Sequence, residues 1–356
     1  MLWKPFVFVF LPLLAHASVG DNLPLFQRCV SECESAVCLA KSSPKKFTEN
    51  SVNPISGFVF GWDCLLDCRY KCQQLVTADR IQHGEQVVQF FGKWPFTRVF
   101  GVTELFSTLF SMGNFYVNYS NLAKLRKNMR INANNPEKMI VFRQSILLVL
   151  VNMFGWTCSS IFHIRDTPLT EIMDYLGAGA IVMANFNAIC IRYFDLHLSK
   201  NKSRRQMFQY GLMFVLCIHY TRLYISWDYD YNMAFNVVIG LAAAALWIAH
   251  SLNVYRKCSN GNVATKSIYV APYEAAIARK LEFIGIKGFF WIPLIPVVLN
   301  VFLILSVSLE LVDFVPWFLL IDAHSLWHLC TMIPPSIWHD WNLWELELAS
   351  VGYGLS

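Results

Sequence analysis

The chain has 356 residues, of which 55% are hydrophobic, 15% aromatic and only 15% charged, with a mean hydropathy of +0.40. A soluble domain carries about 25% charged residues, so this composition excludes a disordered chain and an ordinary cytosolic enzyme, and points to a polytopic membrane protein. The net charge of +5 sits in short basic blocks between apolar runs, a pattern that orients membrane spans rather than binding nucleic acid.

In chain order, residues 1–17 read as a secretory signal peptide. Lys4 supplies the positive start, Phe6–Leu14 the apolar stretch and Ala15-His16-Ala17 the cleavage site. Residues 18–97 form a polar segment holding six of the eleven cysteines: Cys29, Cys33, Cys38, Cys64, Cys68 and Cys72. An even, clustered set behind a signal peptide reads as a disulfide framework in an oxidising lumen. Spacings of four stack Cys29 with Cys33, and Cys64 with Cys68 and Cys72, on single helix faces. Two antiparallel helices would pair Cys38 with Cys64, Cys33 with Cys68 and Cys29 with Cys72, one of about 15 connectivities; a zinc site is the competing reading. The five scattered cysteines are expected to be small buried hydrophobes.

From residue 98 to 335 the pattern predicts seven transmembrane helices, near 99–118, 139–162, 169–191, 209–226, 231–250, 288–309 and 315–334, followed by a cytoplasmic tail, 336–356. Basic residues lie between spans one and two (Lys124 to Lys138), three and four (Lys200 to Arg205), and five and six (Arg256 to Lys287). The alternate connections carry acids: Asp166 and Glu171, Asp228 and Asp230, Glu310 and Asp313. By the positive-inside rule the basic loops are cytoplasmic, which agrees with a luminal amino terminus. Residues 267–287 read equally as an amphipathic surface helix or a solvated loop. The expected fold is therefore an all-α polytopic membrane protein with seven transmembrane helices and a small luminal disulfide-rich domain.

Ionisable groups inside spans are costly and mark function. His163 closes the second span, with Ser159 one turn earlier; Asp174 lies one turn into the third; His324 and His328 are four apart in the seventh; Glu104 sits at the start of the first. Histidines at i and i+4 project from one helix face about 6 Å apart and can share a zinc ion. A third from a facing helix leaves one coordination position open, the arrangement of catalytic zinc. Asp174 could then accept a water proton and Ser159 could donate to an oxyanion. His219 reads as a packing residue, and His83, His197, His250 and His339 as surface residues. On the residues alone, three readings stay open: a metal-dependent hydrolase, a seven-span receptor without catalysis, and a cation transporter.

The runs Trp156 to Asp166, Leu169 to Tyr175, Gly92-Lys93-Trp94-Pro95-Phe96, Asp228 to Met233, Leu309 to Phe314 and Asp322 to His328 resemble the GPI-anchor lipid-remodelling phospholipases. This is the post-GPI-attachment-to-proteins factor 3 or Per-one-like family of the CREST membrane hydrolases. The resemblance covers about residues 20–335 and includes the cysteine-rich start. It implies that His163, His324 and His328 bind zinc and that Ser159 and Asp174 are catalytic. It implies removal of the sn-2 acyl chain of GPI-anchored proteins by zinc-activated water in the Golgi membrane, with the endoplasmic reticulum as the alternative. A ceramidase-like zinc amidase is the neighbouring activity of the same superfamily. Phe91 stands where the family carries histidine and Asp230 where it carries glycine; neither is a proposed ligand.

Overall fold

The computed structural model describes residues 18–38, 60–260, 270–283, 285, 287 and 289–352; the expected signal peptide, 1–17, lies outside them. Regular structure among the described residues is helical, without strands. Contacts divide the chain into two units, one reaching Thr103 and including Val315–Leu320, the other made of Glu104–Phe314 and the residues from Ile321 onward.

In the first unit, helices α1 (Pro24–Cys33) and α2 (Cys64–Gln82) run antiparallel, and a π-helical turn, Glu34–Cys38, follows α1. Asp63 caps α2 by accepting from the Leu66 N–H at 2.8 Å. Disulfides join Cys29 to Cys72, Cys33 to Cys68 and Cys38 to Cys64. That is the nesting the four-residue spacing suggests, and it takes up every sulfur a zinc ion would need. The small core is Phe26, Cys33, Cys68, Cys72, Val76 and Phe90, so the cysteines themselves supply much of the buried surface. Domains this small bury too little apolar area to be stable without covalent help. Phe91 occupies a tight turn with Gly92, at φ 50° and 78°. Its ring lies half-exposed against Phe26, with the Arg69 guanidinium 5.3 Å from its centre.

The second unit comprises α3 (Leu105–Ile131), α4 (Pro136–Ile164), α5 (Pro168–Tyr193), α6 (Lys202–Ile225), α7 (Tyr229–Ser259), α8 (Ala271–Phe283), α9 (Ile295–Leu311), α10 (Ala323–Thr331) and α11 (Ile333–Gly352). Among the described residues, four stretches are long and apolar enough to cross a membrane: α4, α5, α7 and Trp291–Leu309, the last running from a short 3-10 turn into α9. They match the expected spans at 139–162, 169–191, 231–250 and 288–309. The other three expectations change. Residues 99–118 fall partly outside α3, which starts at Leu105 and continues through Lys124, Arg126, Lys127 and Arg130. α6 carries Lys202, Arg204, Arg205 and Arg222, which lower its apolarity. The segment 315–334 is not one helix: Asp322 starts α10 with a capping box to Ser325, and a second helix begins at Ile333, ahead of Pro334 and Pro335.

Residues 336–352, set apart above as a tail, belong to α11. Trp341 and Trp344 are fully buried in a cluster with Trp247, Ile277, Ile295 and Leu299, and Trp341 Nε1 donates to Ile292 O at 2.8 Å. Within the 267–287 stretch, Ala271–Phe283 form the helix α8, whose Ile277 and Leu281 join this cluster. α4 and α5 approach closely: a Cβ on Gly177 would stand 3.1 Å from Gly155 Cα, so a larger residue there would press on the α4 backbone. His83 is exposed as expected, whereas His339, on α11 itself, is buried, and His250 is mostly so, against Glu345 of α11. Among the scattered cysteines Cys158 and Cys190 are buried but Cys217 is exposed, since its helix, α6, turns most of its surface outward.

Candidate metal centre

His163 stands in the last turn of α4, and the capping box at Asp322 and Ser325 fixes the first turn of α10, from which His324 and His328 project. The three imidazoles meet. Ring centroids are 5.2 Å apart for His163 and His324, 4.9 Å for His163 and His328, and 4.5 Å for His324 and His328. One nitrogen from each lies within 4.8 Å of the others. His163 and His328 are buried and His324 is half-buried.

Two of the rings are held by their Nδ1 atoms. Glu104, the residue before α3, accepts from His163 Nδ1 at 2.7 Å, and its own N–H donates to His163 O at 3.0 Å. A carboxylate on Nδ1 fixes the tautomer with its lone pair on Nε2. That Nε2 is buried and has no hydrogen-bond partner, a costly state for a polar atom unless a ligand completes it. His328 Nδ1 lies 2.8 Å from Ser111 Oγ, and the Trp156 ring meets His328 edge-on at 5.3 Å. The donor set, three imidazoles with a carboxylate behind one of them, fits a zinc ion.

Ser159 Oγ lies 3.1 Å from Ser111 Oγ, which also donates to Ser107 O at 2.8 Å. Either hydroxyl can donate in the Ser111–Ser159 pair. Asp174 is half-buried on α5, close enough to Cys158 for its charge to act on that side chain. It is not one of the residues grouped within 4.8 Å. His219 stacks on Phe235 at 3.8 Å and meets Tyr231 Oη at 3.3 Å, as a packing residue does.

Ser111 and Asn114 were not singled out by the sequence reading. Asn114 Nδ2 donates to His328 O at 2.8 Å and so ties α3 to α10. A signal for both was present: Ser107, Ser111, Asn114, Asn118 and Asn121 recur every three or four residues, and all are buried. A polar stripe at helical spacing along an otherwise apolar segment marks a face turned into the protein.

The sequence profile of the Per1-like family matches residues 54–346. Protein PER1 of Saccharomyces cerevisiae is 32% identical over 355 residues, covering 96% of this chain and 94% of its own. The GPI-specific phospholipase A2-like PGAP3 of Cricetulus griseus is 32% identical over 320 residues, covering 90% and 86%. Post-GPI attachment to proteins factor 3 of Drosophila melanogaster is 30% identical over 337 residues, covering 91% and 88%. No solved structure matches.

Proposed function

This chain belongs to the Per1-like family, and on that premise we propose that it is a GPI-specific phospholipase of the A2 type, removing the sn-2 acyl chain of GPI-anchored proteins. The names of its relatives support a lipid hydrolase of GPI-anchor remodelling. The observation that carries the chemical reading is the convergence of His163, His324 and His328, with Glu104 on His163 Nδ1 and the opposite nitrogen without a protein partner.

In this reading the three histidines hold zinc. When bound, it polarises an ester carbonyl and makes a nearby water more acidic. Asp174 accepts the proton that water gives up. Ser159 turns its hydroxyl from Ser111 toward the substrate oxygen and stabilises the charge developing there. The Glu104 carboxylate holds the His163 ring in place as charge shifts during the reaction.

Seven crossings and a luminal amino terminus belong to the same proposal, the seventh shared by α10 and α11 in place of a single helix over 315–334. Beyond the four apolar stretches, α3 buries its polar stripe and exposes Leu109, Met112, Tyr116 and Tyr119, while α6 exposes Met207, Tyr210, Met213, Phe214 and Ile218. Apolar faces turned outward around polar interiors suit helices in lipid. The cysteine-rich unit then lies in the lumen, with the protein in the Golgi membrane or, as the alternative, the endoplasmic reticulum.

The test is lipid analysis of GPI anchors from cells lacking this protein, re-expressing either wild type or His163→Ala. Anchors should keep their original sn-2 chain in the deletion and in the variant, and exchange it with wild type. Normal anchors in the deletion, with ceramide hydrolysed by the purified protein, would replace this reading with the amidase one.

A further inference from the structure

The end of α3 that points away from the histidines helps enclose a second site. Lys124, Lys127, Asn128 and Ile131 of α3, residues of α8, and Asp340 and Leu343 of α11 line a cavity of about 590 Å³, within the range of about 300–1,000 Å³ that ligand sites occupy. Ser111, beside His328, and Asn128, in the cavity wall, are 17 residues apart on one helix, about 25 Å at 1.5 Å per residue. The cavity is therefore separate from the candidate metal centre.

Its charge is lopsided. Lys124, Lys127, Arg279 and Lys280 face the single carboxylate of Asp340, leaving a net +3. Asp340 is buried; its Oδ1 accepts from Lys124 Nζ at 2.9 Å, and its Oδ2 accepts from Lys280 Nζ, which also donates to Ser336 O. Burial alone raises the Asp340 pKa, yet the hydrogen bonds from Lys280 and Lys124 hold it below the usual carboxylate range. Two ammonium groups are thus fixed in the cavity wall before any ligand arrives. Tyr273 Oη donates to Asn128 Oδ1 at 2.6 Å and joins α8 to α3. Lys127 and Arg279 are exposed, and Arg279 Nε donates to Ala275 O at 3.2 Å. Ile131, Pro272, Ala276 and Leu343 supply the apolar part of the wall.

We propose that this cavity binds the headgroup of a phosphoinositide from the adjoining membrane leaflet, with its phosphates on Lys127 and Arg279 and its glycerol end against Ile131, Pro272 and Leu343. A phosphatidylinositol monophosphate carries one diester charge and a monoester of about −1.5 to −2 near neutral pH, close to the opposite of the cavity's charge. The guanidinium fork suits a phosphate monoester, and the apolar wall suits an amphiphile better than a free anion. Only the choice of leaflet rests on the orientation proposed above. On that orientation the site faces the cytoplasm, where anionic lipids attract basic clusters between helices.

The experiment titrates the purified full-length protein in detergent with short-chain phosphatidylinositol monophosphate, short-chain phosphatidylcholine and the free inositol phosphate headgroup. The phosphoinositide should bind and weaken with salt, phosphatidylcholine should not bind, and the free headgroup should bind more weakly. Lys127→Ala with Arg279→Ala should weaken phosphoinositide binding about tenfold or more. Lys127→Arg with Arg279→Lys should retain binding. Arg126→Ala with Arg130→Ala removes the same charge from α3 outside the cavity and should change nothing. Equal losses in both alanine pairs, free headgroup binding as tight as lipid, or no phosphoinositide binding would each overturn the proposal. Protease protection of tags after Gly20 and after Ser356 in sealed microsomes decides the leaflet separately, because binding in detergent is independent of orientation.

Discussion

Two groups of histidines and carboxylates are buried in the helical unit, and they are built on opposite plans. At the first, His163, His324 and His328 crowd to within 4.5–5.2 Å of one another, and the one carboxylate, Glu104, lies behind a ring on the side away from the convergence. At the second, the Arg192 guanidinium pairs with Glu345, His250 Nε2 lies 3.4 Å from the other Glu345 oxygen, and Trp247 and Trp341 meet the His250 ring edge-on. The second group sets opposite charges against one another, Arg192 against Glu345, although His250 Nε2 and Glu345 Oε2 make no hydrogen bond. The first turns ring nitrogens toward a shared point and leaves one of them without a protein partner. Buried polar groups cost free energy until paired; an opposite charge meets that need at the second group, whereas at the first three imidazoles converge on one point, so the first is the one that calls for a ligand.

This contrast ranks variants by their effect on metal and on hydrolysis. The largest belongs to the histidines. His163→Ala, His324→Ala and His328→Ala should each lose bound zinc by elemental analysis and fall to background activity while still inserting in the membrane; His219→Ala should keep its metal. Stoichiometric zinc in all three would break the assignment. Next comes Ser159→Ala. Removing one oxyanion donor costs about 10²–10³ in rate, and zinc should stay bound. A serine nucleophile needs a base on its hydroxyl, whereas the hydrogen-bond partner of Ser159 is another serine, Ser111. Fluorophosphonate probes should therefore leave Ser159 unlabelled and chelators should inhibit. Labelling that chelators do not affect would make Ser159 the nucleophile instead.

The sequence discloses these two groups unequally. His324 and His328 are visible because their spacing is local, and the nested disulfides because four-residue spacing puts sulfurs on one helix face. The partners that give the histidines meaning are remote. Glu104 is 59 residues from His163, and Ser111 is 217 from His328. The buried stripe of α3 lowers its hydropathy and blurs a helix that an uninterrupted apolar run would have revealed, as one does for α4 and α7. At 315–334 apolar content hid a break that the Asp322 cap and the Pro334-Pro335 pair spell out. His250 and His339 read as surface residues because the packing of α11 against its neighbours is a tertiary fact without local signature.

A smaller effect is expected from the residue behind the first group. Losing an outer carboxylate partner of a metal-binding histidine costs about 10–100-fold in metal affinity. Glu104→Ala should approach the upper end. Glu104→Gln keeps an acceptor for His163 Nδ1 and should stay near the lower. The readout is zinc affinity by competition with a chelator, which a merely structural role would leave unchanged in folded protein. Equal affinities for Glu104→Gln, Glu104→Ala and wild type would remove Glu104 from the site.

The smallest effect on metal, none at all, is expected at the second group, and it is the sharpest test of the contrast. Glu345→Ala leaves Arg192 buried without its carboxylate, and breaking a buried pair on one side costs about 3–5 kcal/mol. The unfolding midpoint in detergent should drop accordingly. Replacing both members, Arg192→Met with Glu345→Leu, removes the two charges together and fills similar volume, a change that is often neutral or stabilising. His250 would then face an apolar side chain in place of a carboxylate, which suits a neutral ring packed between Trp247 and Trp341. The double variant should therefore recover most of the stability lost by Glu345→Ala, and both variants should bind as much zinc as wild type. If the double variant kept its midpoint but lost zinc or hydrolysis, the paired cluster would be serving the histidine centre, and the division between a charge-paired group and a converging one would fail.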